Sequence, residues 1–244
     1  MTYCVGLLLK QGLVFASDTR TNAGVDQVAI SPKMHVFEVK GDRVIVLMTA
    51  GNLAITQAVV GHLRAAIEAN KKGTKHLHNV KSLFEAAGLV GAELRAAFER
   101  DAEFLKNHNI DFNATILLGG QIKGEKPRLF NVYAAGNFIE TCSETPYFQI
   151  GETKYGKPII DRVVKYHTEM MDAVKCLLIS FDSTIRSNVS VAAPIDLLLY
   201  RSDTLHADCY QRITENDPYY LQIRQGWGDG LKAVFSGLPN PDWC

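Results

Sequence analysis

The sequence has no excess of charge of either sign: 26 Lys and Arg stand against 26 Asp and Glu. Without a basic field, composition gives no pointer to nucleic acid or to an anionic membrane surface. No run approaches eighteen apolar residues, which excludes a transmembrane helix. The opening residues have no basic segment, and Lys10, Asp18 and Arg20 interrupt the apolar stretch, so no secretory signal peptide is expected. Five cysteines (Cys4, Cys142, Cys176, Cys209 and Cys244) are scattered without C-x-x-C spacing. They read as reduced thiols of a cytoplasmic protein rather than a disulfide frame or zinc site. His76-x-His78 has no carboxylate or cysteine at ligand spacing, so no metal is expected. Gly119-Gly120 is not followed by GKS or GKT and reads as a hairpin, not a phosphate loop. No repeat, low-complexity tract or linker divides the chain, and a single domain over residues 1–244 is expected.

What is present is a core-forming chain, 47% hydrophobic over 244 residues, within the range of one layered domain. Tyr3 to Leu9 is apolar, turns at Lys10-Gln11-Gly12 and resumes as "LVFAS", a hairpin signal. "MHVFEV", "KGD" and "RVIVLMTAG" form a second. Asn52 is a plausible N-cap for "LAITQAVVGHLRAAIEAN", and "VKSLFEAAGLVGAELRAAFERDAEFLK" reads as a further helix. Strands return in "FNATILLGGQ" and "RLFNVYAAGNFIE". A helix pair follows in "KPIIDRVVKYHT" and "DAVKCLLISFDSTIRSN", then a short buried strand, "IDLLLY". From about residue 202 onward an irregular tail is expected. Antiparallel hairpins with helices inserted in pairs predict a layered α+β domain. A neutral chain with apolar faces is also prone to self-association.

The chemistry starts at Thr2. Loss of Met1, favoured by the small threonine side chain, leaves a free α-amine beside a hydroxyl, which is a nucleophile and its own base. The amine has a reference pKa of roughly 7.7–8.0, so part of it is neutral at physiological pH. Such a site further needs a cation, a carboxylate to hold it and amide donors for an oxyanion. Asp18 in "FASDTR", Lys33 in "SPKMHVF" and Gly51 in "LMTAGNLA", expected to open the first helix, supply them in order.

N-terminal Thr, a hairpin running into S-D-x-R, Pro-Lys before a strand, and T-A-G ahead of a helix resemble the proteasome β-type family of N-terminal nucleophile hydrolases. "PYFQIGETKYGKPIIDRV", "SFDSTIRSN" and "PIDLLLY" are most similar to its bacterial Anbu (ancestral beta subunit) group. The resemblance implies a four-layer αββα sandwich and a threonine peptidase without a cofactor. It implies Thr2 as nucleophile, Lys33 to depress its hydroxyl pKa, Asp18 to orient Lys33 and the Gly51 amide as oxyanion donor. Asp182 and Ser187 match positions that support the threonine amine. Arg20, Thr21 and Asn22 match the loop that pairs with an extended substrate, while Thr49 and Leu53 match the first specificity pocket, which His35, two residues beyond Lys33 on the same strand face, is expected to enter too. Relatives carry a Gly-Ser-Gly turn where this chain has Gly151-Glu152-Thr153. The resemblance further implies a peptide or unfolded-protein substrate, the bacterial cytoplasm and a homo-oligomer, either a closed ring or an open spiral. It also brings in ATP-grasp or transglutaminase-like proteins as partners. Two alternatives stay open, a non-catalytic assembly subunit and an amidohydrolase acting on a small amide.

Overall fold

The computed structural model describes residues 2–22, 28–207 and 209–243; Met1 and Cys244 lie outside them. The chain begins with the expected hairpin, β1 (Tyr3–Leu9) and β2 (Gly12–Asp18). Gly12 has φ +144°, and a Cβ there would lie 2.0 Å from the Tyr200 carbonyl oxygen, so only glycine serves. A short ribbon, β3 (Arg20–Asn22) with β4 (Val28–Ile30), leads to a second hairpin, β5 (Met34–Val39) and β6 (Arg43–Gly51). Helices α1 (Leu53–Ala69) and α2 (Leu83–Asn107) follow, capped by Asn52 and Ser82. Then come β7 (Ala114–Ile122), β8 (Arg128–Val132), β9 (Phe138–Glu140) and β10 (Tyr147–Gly151). The chain ends with α3 (Lys157–Val163), α4 (Met170–Ser187), β11 (Ile195–Arg201), β12 (Cys209–Ile213) and α5 (Pro218–Gly237).

Two five-stranded antiparallel sheets result, ordered β10-β1-β2-β11-β12 and β5-β6-β7-β8-β9. Strand alternation sorts their side chains into three cores. On β1, Tyr3, Val5 and Leu7 pack with Val174, Leu177 and Phe181 of α4. On β6, Ile45 and Leu47 pack with Val59 and Leu63 of α1 and Val90 of α2. The opposite faces meet in a third core, where Cys4, Phe15, Val46, Met48, Leu117 and Leu198 lie between the sheets. Three cores separate four layers, and the α+β sandwich expected from the resemblance is the observed architecture. The sheets approach closely because two strand positions lack a side chain. A Cβ at Gly119 would lie 2.8 Å from the Phe15 ring, and one at Gly6 would lie 3.0 Å from Leu129 Cδ1.

The irregular tail is a correction. β12 extends the first sheet along β11, and α5 is a twenty-residue helix. Gly226, Gly228 and Gly230 hide it from a sequence reading, since each costs about 1 kcal/mol of helix propensity. Its start signal is nonetheless present: Asp217 accepts the Tyr220 N–H at 2.9 Å, and Pro218 occupies the first turn. Tertiary contacts supply what propensity lacks. Tyr220 is buried in the α4 core, and Arg224 Nε donates to Asp182 Oδ1 of α4 at 2.8 Å. The strands β3, β4, β9 and β10 are too short or too polar to carry a period.

Two stability predictions follow from this packing. Gly119→Val drives a side chain into Phe15 and costs about 1–3 kcal/mol. Combination with Phe15→Leu recovers part of that loss, read from urea midpoints as a double-mutant cycle. Asp182→Asn removes the charged acceptor that joins α4 to α5. It lowers stability by about 1.5–3 kcal/mol, measured in the same way, and leaves α5 more open to limited proteolysis.

Candidate active site

Thr2 sits where β1 begins, between the ends of β2 and β10. Its carbonyl accepts the Glu152 N–H at 2.7 Å, and the next amide, Tyr3 N–H, donates to Asp18 Oδ1 at 2.9 Å. Gly151 makes the first contact possible: its φ is +84°, and a Cβ there would lie 1.9 Å from the Thr2 carbonyl oxygen. The threonine is 9% exposed.

Lys33, just ahead of β5, reaches back across the sheet ends. Its Nζ donates to Asp18 Oδ1 at 2.7 Å and to the Arg20 carbonyl at 2.6 Å. Both members of the ion pair are buried. Burial pushes the Asp18 carboxyl above the ordinary carboxylate range, while Lys33 and the Tyr3 amide pull it back. An ammonium has three protons to donate, and these two bonds leave one uncommitted among the described residues. Thr2 and Lys33 both line a cavity of about 600 Å³, together with Thr21, Thr49, Gly51 and Leu53. Lys33 and the threonine therefore border the same space.

Gly51 reaches the cavity from a different element than expected. It closes β6 rather than opening the helix, and α1 begins at Leu53 after the cap Asn52. With φ +109° it crosses Asn113, whose carbonyl oxygen would lie 2.2 Å from an added Cβ. The Asn52 side chain already accepts from Ala54 N–H and Ile55 N–H at 3.0 and 3.4 Å. Gly51 and Leu53 line the cavity beside those capped donors, at the positive end of the α1 dipole.

The remaining expected residues divide. Thr49, Leu53 and Thr21 line the cavity, as do Asn113 and Thr56, which no sequence signal singled out. Thr21 Oγ1 is buried with no hydrogen-bond partner among the described residues. Asn22 stands opposite Val28 in the β3–β4 ladder. Arg20 turns its guanidinium away and donates to the Val189 carbonyl at 2.9 Å, so only its backbone serves Lys33. His35 does not line the cavity either. It lies 3.5 Å from Arg64, and burial followed by that guanidinium lowers its pKa to about 4.

Asp182 and Ser187 are not brought to the cavity. Asp182 accepts from Arg186 at 3.0 Å and Arg224 at 2.8 Å and joins two helices. Ser187 is exposed at the last position of α4. Helix pitch explains the miss, since Phe181 faces the sheet core, Asp182 is turned toward α5, and the chain approaches Thr2 only after the helix ends. There Asn188 Nδ2 donates to Glu152 Oε2 at 2.9 Å, a pairing across 36 residues that spacing does not reveal.

Among the described residues, no cluster of three His, Cys, Asp or Glu is placed to hold a metal, and no helix is long and apolar enough to cross a membrane. No curated protein matches the chain. Among solved structures, Anbu (ancestral beta-subunit) from Yersinia bercovieri is 48% identical over 100% of both chains, with a TM-score of 0.92. The Gly-1 mutant of Anbu from Hyphomicrobium sp. strain MC1 is 45% identical over 99% of this chain and 100% of that one, also at 0.92. Anbu from Pseudomonas aeruginosa, described as a helical assembly, is 44% identical over 99% of both chains, at 0.94. The proteasome subunit family model matches residues 2–197, a span that holds Thr2, Asp18, Lys33 and Gly51. This chain belongs to the proteasome subunit family, among its Anbu (ancestral beta-subunit) members.

Proposed function

We propose that the chain is a subunit of a homo-oligomeric threonine peptidase of the bacterial cytoplasm, in which Thr2 becomes N-terminal by removal of Met1. The observation that carries this reading is the buried Lys33–Asp18 pair at 2.7 Å on the cavity that Thr2 lines. A lysine fixed by a buried carboxylate supports no packing that an apolar residue would not support as well. Its remaining donor serves the Thr2 hydroxyl, lowering the pKa of that oxygen. The α-amine takes the hydroxyl proton, and Oγ1 attacks the substrate carbonyl. The oxyanion is received by the Gly51 amide at the mouth of α1. The amine then returns the proton to the leaving nitrogen, and water attacks the acyl-enzyme with the same amine as base.

An extended peptide is favoured over a small amide because β3 pairs with β4 on one edge only. A substrate strand adds to the open edge through main-chain hydrogen bonds, with its side chain between Thr49 and Leu53. Association of copies is supported by the apolar side chains exposed on α2 and α5, including Phe104, Val234 and Phe235, and by the helical assembly described for the Pseudomonas aeruginosa relative. One observation favours the rival reading of an assembly subunit without hydrolysis: the buried Glu152 carboxyl beside Thr2, where active relatives have a small turn.

Intact mass separates the two. A peptide epoxyketone requires both the hydroxyl and the free amine of an N-terminal threonine. The expected result is loss of Met1 and one adduct per chain, with no adduct in Thr2→Ala; a chain that loses Met1 and takes no adduct is an assembly subunit. The pH dependence of labelling reports the ion pair. Labelling requires a neutral amine and an ionised Asp18, so the log rate falls with a slope of about one below the amine pKa. It steepens to about two once Asp18 is protonated. Because burial raises that carboxyl, the break comes above the ordinary Asp value of about 3.9. Asp18→Asn loses the break and labels about 100-fold more slowly at neutral pH, as does Lys33→Met.

A further inference from the structure

Glu152 is 5% exposed, and its place is fixed by the ladder between β1 and β10. The register runs Leu7↔Tyr147, Cys4↔Ile150 and Tyr3↔Gly151. Leu8 N–H donates to the Pro146 carbonyl and Glu152 N–H to the Thr2 carbonyl, each at 2.7 Å. The hydrogen-bonded pairs therefore fall on even-numbered residues of β1, and the bond from Glu152 N–H to the Thr2 carbonyl continues the ladder by one hydrogen bond. A complete pair of this kind exchanges both N–H···O bonds between its two residues. The Thr2 carbonyl makes its half of such a pairing, which sets the main chain at Thr2 alongside that of Glu152.

The carboxylate itself has an amide donor but no cation. Its Oε2 accepts from Asn188 Nδ2 at 2.9 Å, and Asn188 Oδ1 accepts the Ser190 N–H at 2.9 Å. Among the described residues no Lys, Arg or His pairs with it. The cations nearby are engaged elsewhere: Lys33 with Asp18 and the Arg20 carbonyl, Arg186 and Arg224 with Asp182, and Arg20 with the Val189 carbonyl. A buried carboxylate without a counter-charge is costly. Loss of Met1 creates one additional positive charge, and it creates it on Thr2, the residue whose carbonyl Glu152 N–H binds.

We propose that Glu152 is the counter-ion of the Thr2 α-ammonium and so a positioning residue for the nucleophile, with Asn188 holding the carboxylate in place. The proposal rests on Thr2 becoming the N-terminus, as in the function proposed above, but not on catalysis. An opposite charge in direct reach favours the protonated amine. Lys33 acts in the other direction, and Asp18, bonded to Lys33, offsets much of that effect; Asp182 is neutralised by its two arginines. The net result is an amine that becomes a base at a higher pH than a free one, which restrains the nucleophile near neutrality.

The test titrates the amine without relying on turnover. Protein with Thr2 as first residue, released from a ubiquitin fusion, is carbamylated with cyanate across a pH series. The modified N-terminal peptide is then quantified by mass. In the wild-type chain the midpoint should lie above the reference range of roughly 7.7–8.0, and in Glu152→Gln about one unit lower or more. Glu152→Ser, which removes the charge without placing an amide, should match Glu152→Gln and decides the matter if that variant does not fold. Equal midpoints in the wild type and either folded variant would overturn the proposal. A shifted midpoint in a chain that takes no epoxyketone adduct at any pH would uphold the counter-ion and reject the peptidase.

Discussion

One carboxylate oxygen ties four segments of this chain together. Asp18 Oδ1 accepts from the Tyr3 amide and from Lys33 Nζ, and the same Nζ donates to the Arg20 carbonyl. The start of β1, the end of β2, the first residue of β3 and the residue before β5 are thus fixed relative to one another within a few ångströms. The joint is polar and dry, so its members cannot be exchanged singly. Removal of Lys33 strands a buried carboxylate, and removal of Asp18 strands a buried ammonium. The hydrophobic cores place the two sheets face to face. This ion pair sets how the strand ends meet at the open rim, where the cavity lies.

Two glycines complete that rim, one from each sheet. Gly151 ends β10 against the Thr2 carbonyl, and Gly51 ends β6 against Asn113, both with positive φ. Each lets a backbone approach closer than any side chain would allow, and each lines the cavity at the last register position of its strand. The inter-sheet core reaches that rim with Cys4, Met48 and Ala50. The cavity lies where that core ends and Thr2, Lys33, Thr49 and Asn52 line the open space.

That division also explains what could be read in advance. Long apolar strands and capped helices announce themselves through period and cap, and β1, β2, β5, β6, α1, α2 and α4 were legible for that reason. Thr2, Asp18 and Lys33 were legible because they flank those strands at short range along the chain. Asp182 misled because helix α4 carries a buried acid toward α5, and no residue count separates that face from the end of the helix. The Glu152–Asn188 contact and helix α5 depend on the packing of distant segments. Local sequence there argues the other way, with glycines in the helix and a charge in a buried turn.

Those two contradictions of local preference differ in kind. In α5 the glycines stand in open space, and the helix is held from outside by Tyr220 and Arg224, so the conflict is resolved by tertiary packing. Glu152 is buried beside the one position where removal of a residue changes the charge of the backbone. A carboxylate there is a liability while Met1 blocks Thr2 and becomes one half of an ion pair once Met1 is gone. Maturation of the N-terminus and settling of the turn after β10 are on this view a single electrostatic event. The processed form is then the one in which every buried charge at the rim has a partner.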